Sequence, residues 1–413
     1  KANPHFRKNY IKDHPAGTPG VLSHRGGAGV FEDNDVAGNA DAGIEVTTTG
    51  CPAVRRNRIG PGNKFGILCA DGGLGTIEEN DIFGAFECGV RAETGANPFL
   101  RSNVVRDCQG VGIDLNDAFT AICEHNDVYG HGGDGFRVSG QDCAPIIRSN
   151  QVRGCASSGM HFTLLSRGLI ERNTVFGNSQ NEVRCTQGAD PRFRHNVVKE
   201  GLGQGIYVHE GGKGTFSEND VSAHALACVC VETGGCPEVC KNRIRHGQSI
   251  GVRVCDKGEG HFEGNDVFEH CGEASVDCET GGNPTFVKNR IFGTVTGAGL
   301  RVHDCGVGLF ENNEIYSNTG PGVEISTEAA PVVRSNTIRD GKSCGVLSTA
   351  SGVGVVDRNT VFGNAAAGLS CTASGQTRFI ENTVRDGLAA GCAVSDAGLG
   401  EFGVNRNRLL LFI

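Results

Sequence analysis

The sequence predicts an all-β fold, a right-handed parallel β-helix of about seventeen coils with roughly 23 residues per coil. Three observations carry that expectation. An asparagine recurs at near-constant spacing along the chain, an Ile or Val stands two positions after it, and a glycine follows nine positions on in most units. The asparagines are Asn9, Asn34, Asn57, Asn80, Asn103, Asn126, Asn150, Asn173, Asn196, Asn219, Asn242, Asn265, Asn289, Asn313, Asn336, Asn359, Asn382 and Asn407. Twelve of the seventeen intervals are 23 residues and the others are 24 or 25; the apolar residue two on is Ile or Val except at Leu409. Repetition at a period of 20–50 residues is the signature of a solenoid.

A unit of 23 residues is too short for a helix pair and lacks helical periodicity. Two tracts per unit alternate apolar and polar residues as strands do. One tract runs through the asparagine, as in Ile77 to Ile82. The other follows the glycine, as in Gly205-Ile206-Tyr207-Val208. The glycine fits a bend where a side chain collides or φ is positive. Each strand then pairs with its counterpart one coil away, parallel and in register, and the handedness follows from the chirality of parallel crossovers. Stacked amides hydrogen-bond as a ladder, and Asn tolerates left-handed backbone at a bend. The Ile/Val column suits a pleated interior.

Charges fall into columns too. Arg7, Arg55, Arg101, Arg148, Arg194 and Arg334 mark every second coil, and acids at Glu32, Glu78, Glu124, Glu171, Glu218, Glu263, Glu311 and Asp357 mark the coils between. The apolar residue just before each points inward, so this column points outward and its signs alternate along the stack. Each exposed pair contributes only about 0–1 kcal/mol, so the alternation acts chiefly against slipped stacking.

Composition bounds the function. Glycine is 64 of 413 residues, Trp is absent, and 38% of residues are hydrophobic, enough for a core and too many for disorder. No apolar run approaches a membrane span, and a net charge of −9 gives nucleic acid no global attraction. An odd count of 19 cysteines without tight spacing reads as reduced thiols in an intracellular protein, cytoplasmic or nuclear. The chain starts at Lys1 and ends on Leu409-Leu410-Leu411-Phe412-Ile413, so one β-helix domain over residues 1–413 is expected within a longer polypeptide.

The phrases Gly27-Ala28-Gly29-Val30-Phe31-Glu32-Asp33-Asn34-Asp35-Val36, Ala42-Gly43-Ile44-Glu45-Val46 and Pro52-Ala53-Val54-Arg55-Arg56-Asn57-Arg58-Ile59 resemble the β-helix of F-box-only ubiquitin ligase receptors. The resemblance covers nearly the whole chain. It implies substrate recognition on the coils, with a separate F-box docking to the ligase core. Spindle proteins that bind SHC and carbohydrate-active β-helices share the repeat in looser form.

On such a fold a site must occupy outward columns. Two positions after the coil glycine come Arg91, Asp114, Arg137, His161, Arg184, Tyr207, Cys230 and Arg253, with Arg301 later. Two further on come Glu93, His209, Glu232, Cys255, Glu279 and His303. Guanidinium forks suit carboxylates and phosphates, so Arg91, Asp114, Arg137, His161, Arg184, Tyr207, His209 and Arg253 are expected to bind an acidic or phosphorylated peptide. The leading expectation is a non-catalytic recognition or scaffold protein without cofactors. A structural rod in a cytoskeletal or ciliary assembly is second, and open sheet edges predict end-on contacts for it. A lyase- or epimerase-type carbohydrate enzyme is third. Its nearest acids and base, Glu93, Asp114 and His161, show no convincing acid pair. Cys228, Cys230, Cys236 and Cys240 have zinc-site density, but strand alternation sends neighbours to opposite faces, so thiols rather than metal ligands are expected.

Overall fold

The computed structural model describes residues 2–395, 397–403 and 406–407. Lys1, Leu409 and the closing run 409–413 lie outside the described residues, as does the side chain of Asn407. The described residues form short strands and turns, with no helix, wound as a right-handed parallel β-solenoid with about 23 residues per coil. Two compact units divide the chain, Lys1–Gly203 and Gln204–Ile413.

Each coil contributes one strand to each of three sheets. In the first unit a typical coil holds strands Thr76–Glu78, Asp81–Phe83 and Cys88–Glu93; in the second, His261–Glu263, Asp266–Phe268 and Ala274–Cys278. Pairing is parallel and in register, as in Ile77 opposite Leu100, Ile82 opposite Val105 and Val90 opposite Ile113. Like side chains therefore lie over one another. Val105, Val128 and Val152 are fully buried in one interior column, and Phe262, Phe286 and Phe310 stack in another, with centroids 4.3 and 5.5 Å apart. Burying each such side chain contributes about 1.5–3 kcal/mol.

The asparagine ladder forms at atomic level within each unit. Asn57 Nδ2 donates to Asn80 Oδ1 at 3.0 Å and to the Phe31 carbonyl at 2.8 Å, while Asn80 Oδ1 also accepts from the Asn57 amide at 2.9 Å. Asn80 repeats this on Asn103, and Asn103 on Asn126. In the second unit Asn242 bonds Asn265, and Asn265 bonds Asn289. The left-handed bend is not at Asn, as the sequence suggested, but one residue earlier: Asp33, Arg56, Glu79 and Ser102 have φ between 52° and 57°. The Asn side chain braces that bend from inside. The coil glycines avoid collision rather than supply positive φ. A Cβ on Gly89 would stand 2.5 Å from Val105 Cγ1 and 2.7 Å from the Gly112 carbonyl.

A second internal polar column was not legible in the repeat. Asn39 Nδ2 donates to Asn63 Oδ1 at 3.1 Å, and further along histidine replaces asparagine. His131 Nδ1 accepts from the Cys108 amide at 3.3 Å, so Nε2 carries the proton and donates to the Val105 carbonyl at 3.1 Å. His270 repeats this between the Gly247 amide and the Ile244 carbonyl. Both rings are buried and neutral, with pKa values lowered to about 4 by desolvation.

The alternating charges pair across coils: Arg55 with Glu32 at 2.8 Å, Arg101 with Glu78 at 3.1 Å, and Arg194 with Glu171 at 2.8 Å. Glu218 departs from that column. It occupies the left-handed bend before Asn219, and Ser217 holds the column position opposite Cys240.

Removing one rung, by Asn103→Ala, leaves buried groups unpaired and should lower stability by about 1–3 kcal/mol in denaturant unfolding, whereas Arg101→Ala should cost about 0–1 kcal/mol. The neutral histidines give acid sensitivity with a fixed sign. The unfolded chain binds their protons below about 6.5, the folded chain only near 4. Their stabilising contribution is full above pH 6.5 and is lost as pH falls towards 4. Denaturation midpoints across that range should decline, and His131→Asn should reduce the decline.

Candidate functional site

The third sheet follows the coil glycine, and its outward positions form columns. In the first unit one column runs Arg91, Asp114, Arg137, His161, Arg184. In the second another runs Tyr207, Cys230, Arg253, Asp277, Arg301, Glu324. The eight residues expected to bind a peptide all lie on this sheet or just past its strands, distributed over the two units. Their chemistry is largely consumed locally. Arg137 grips the buried Asp114 through both nitrogens at 3.0 and 2.6 Å, Arg91 bonds Glu93 at 2.7 Å, and His161 sits between Asp134 at 3.2 Å and Thr186 at 3.3 Å. Arg253 donates to Glu279. The Tyr207 ring stacks on His209 at 4.1 Å, and its hydroxyl donates to Glu232. In-register stacking thus sets acids beside Arg91, Arg137 and Arg253, whose guanidinium groups are engaged within the fold.

The same stacking builds a different constellation in the second unit. Just past the strands the backbone ladder continues: Glu232 N donates to Val208 O, Cys255 N to Val231 O, Glu279 N to Val254 O, and His303 N to Cys278 O. Glu279 and His303 therefore occupy successive levels of one column, beside Arg253, Asp277 and Arg301 of the neighbouring column. Together with Asp304 they line an open cavity of about 510 Å³. His303 Nε2 lies 3.2 Å from Asp277 Oδ1 and 3.7 Å from Glu279 Oε2, and its Nδ1 lies 3.0 Å from Asp304. Asp277 is 4% exposed, whereas the Asp304 side chain is 54% exposed. One face of the imidazole is thus anchored inside and the other guarded only at the surface. The Asp304 backbone is left-handed, φ 46°, and its amide is held by Thr327 Oγ1 at 2.8 Å.

The electrostatics follow from this packing. The Asp277 hydrogen bond is the largest cause holding the His303 pKa above its usual value, and burial opposes it. The Thr327 hydrogen bond leads in holding the Asp304 carboxyl low. Arg301 reaches the exposed Glu273 through Nη1, while its buried Nε has no hydrogen-bond partner. Of the acids and base singled out from sequence, Glu93 and Asp114 share Arg91, at 2.7 and 3.7 Å, and His161 lies on Asp134, so they do not form this arrangement. Sequence placed Glu279 and His303 outward but missed Asp277. Its column position is offset by the 24-residue interval between Asn265 and Asn289.

Among the described residues, two groups of side chains bring metal-ligating atoms within 4.8 Å of one another: Asp277, Glu279 and His303, and Cys230, Glu232 and Cys255. The first lies in a cavity lined by five carboxylates, Glu273, Asp277, Glu279, Asp304 and Glu324, and by the guanidinium groups of Arg253 and Arg301. The sequence cluster of Cys228, Cys230, Cys236 and Cys240 does not converge: Cys228 and Cys230 are buried, Cys236 is exposed and Cys240 is half-buried.

A family model described as a right-handed beta helix region matches residues 1–146, 121–240, 149–291 and 274–409. No curated protein matches the chain. Among solved structures, the A-module of mannuronan C-5 epimerase AlgE6 from Azotobacter vinelandii is 14% identical over 88% of this chain and 91% of that one, with a TM-score of 0.46. A variant of the periplasmic alginate epimerase AlgG is 10% identical over 83% of this chain and 77% of that one, TM-score 0.36. The catalytic unit of a GH87 alpha-1,3-glucanase from Streptomyces thermodiastaticus is 12% identical over 93% of this chain and 63% of that one, TM-score 0.27. These three are enzymes, and the expectation of a non-catalytic recognition or scaffold protein, with its leaning away from catalysis, is corrected accordingly. At such identities and TM-scores the likeness carries no chemistry over, which has to be argued from this chain's own side chains.

In an NMR titration the His303 imidazole should lose its proton above pH 6.5, and Asp277→Asn should move that midpoint down.

Proposed function

The chain belongs to the right-handed beta helix family, and from that premise we propose that it is a carbohydrate-active enzyme that removes the proton α to the carboxylate of a uronate residue in an acidic polysaccharide. The observation that carries this reading is His303, fixed between Asp277 and Asp304 in an open groove where the guanidinium groups of Arg253 and Arg301 stand among the acids Glu273, Glu279 and Glu324.

A proton next to a carboxylate is weakly acidic because the resulting carbanion places a second negative charge on that group. Abstraction therefore needs a fixed cation at the carboxylate and a base at the carbon. Arg301 suits the first task. Its Nη1 partner, Glu273, is an exposed carboxylate that a substrate can displace, and its Nε, 3.9 Å from Glu324 Oε1, makes no hydrogen bond. His303 suits the second. Nε2–H stays on Asp277, which orients the ring and stabilises the imidazolium formed when Nδ1 takes the C5 proton. Asp304 guards Nδ1 at the surface and gives way to the sugar. Arg253, tied to Glu279 at 2.6 Å, keeps that carboxylate from repelling the substrate. Loss of the O4 substituent, protonated as it leaves by the His303 imidazolium, completes an elimination; return of a proton from water at the opposite face, with His303 giving its own proton back to solvent, completes an epimerisation.

The test is incubation with polymannuronate, polyguluronate and polygalacturonate in heavy water. Either deuterium at C5 or the ultraviolet absorbance of a 4,5-unsaturated end group is expected. His303→Ala should reduce that signal at least about 100-fold, and the rate should rise with pH through the His303 midpoint. New reducing ends without deuterium or unsaturation would instead mark hydrolysis and contradict the proposal, as would activity equal in His303→Ala.

A further inference from the structure

The second group of ligating atoms, Cys230, Glu232 and Cys255, lies outside the proton-transfer chemistry and has features of its own. Cys230 sits mid-strand in Val229–Val231, in register between Tyr207 and Arg253. Glu232 follows that strand, and Cys255 follows the next, Val252–Val254. Both thiols are almost completely buried, although each projects from the outward side of the sheet. Cys255 Sγ is 3.7 Å from Glu232 Oε2. A tetrahedral zinc ion with Zn–S near 2.3 Å and Zn–O near 2.0 Å places sulfur and oxygen ligands about 3.5 Å apart.

Two further observations bear on what this group is for. The Tyr207 hydroxyl donates to Glu232 Oε1, while Oε2 faces the Cys255 thiol, which donates to it at 3.7 Å. A partner that orients a carboxylate and occupies only its far oxygen is the arrangement found behind metal ligands. The donor set is of the zinc type, two sulfurs and a carboxylate oxygen, and the three ligand atoms lie within 4.8 Å of one another. A disulfide is not the alternative: Arg253, not Cys255, pairs with Cys230, so the two cysteines are diagonal neighbours. Diagonal backbones lie about 7–8 Å apart, beyond the span of an S–S bridge.

We propose that Cys230, Glu232 and Cys255 bind a zinc ion through three protein ligands, with the fourth position left to water or an incoming ligand. Paired sulfur ligands select zinc over calcium or magnesium. The site stands independently of the proton abstraction assigned to His303, since it shares no ligand with that chemistry.

The experiment uses the full chain stripped with a chelator and titrated with zinc alone, then with cobalt as a spectroscopic substitute. One equivalent should bind, and cobalt should give the near-ultraviolet charge-transfer band of thiolate coordination. Cys230→Ser and Cys255→Ser should each abolish the band, while Cys236→Ser and His303→Ala retain it. Glu232→Gln, which keeps the side-chain shape, should weaken zinc binding at least about 10-fold; unfolding midpoints measured without metal check that each variant is folded. Absence of stoichiometric binding, or a cobalt band that persists when both Cys230 and Cys255 are serine, overturns the proposal.

Discussion

Equal coil length is the constraint on which the rest of this structure depends. A strand repeated every 23 residues can stack on its predecessor only if each residue meets its own counterpart, because a slip of one position turns every apolar side chain outward. The buried asparagines enforce that register chemically. Each amide donates to the next oxygen and to an interior carbonyl, and each oxygen also accepts a backbone amide, as Asn57, Asn80 and Phe31 show. An amide one level out of place forfeits several bonds at once, in an interior where unmet polar groups are costly. The exposed ion pairs add discrimination rather than strength.

Register also decides what the outside can do. A side chain on an outward column has fixed neighbours one coil before and one coil after, so chemistry arises wherever unlike residues become adjacent. In the first unit this sets Asp114 against Arg137 and ends in mutual neutralisation. In the second it sets His303 against Asp277, with Arg301 beside them, and Cys230 near Cys255 with Glu232 between coils. The same geometric rule therefore yields an inert ion pair, a proton-handling group and a set of metal ligands. Which one results depends on residue identity at the third sheet, while the backbone is unchanged.

Much of this was legible in the sequence because translation symmetry converts spacing into contact. The asparagine column, the interior Ile/Val column, the alternating charges and the outward placement of Glu279, His303, Cys230 and Cys255 all follow from counting. What escaped was whatever breaks the count or depends on side-chain reach. Asp277 follows a 24-residue interval, so its meeting with His303 needed the actual register. The left-handed residue precedes Asn because the amide must point inward to brace the bend. The second polar column mixes Asn and His, whose common feature is a donor and an acceptor at similar reach rather than a shared letter. The arginines looked available because their acidic partners belong to other coils or other columns.

Deleting whole coils tests the claim of register most directly. Removal of residues 57–102, two intervals of 23, joins Arg56 to Asn103 and restores both the ladder and the charge alternation. Removal of residues 57–91, about one and a half intervals, does neither. The account predicts cooperative thermal unfolding close to that of the intact chain for the first deletion and loss of the cooperative transition for the second. Equal behaviour of the two, folded or unfolded, would contradict it.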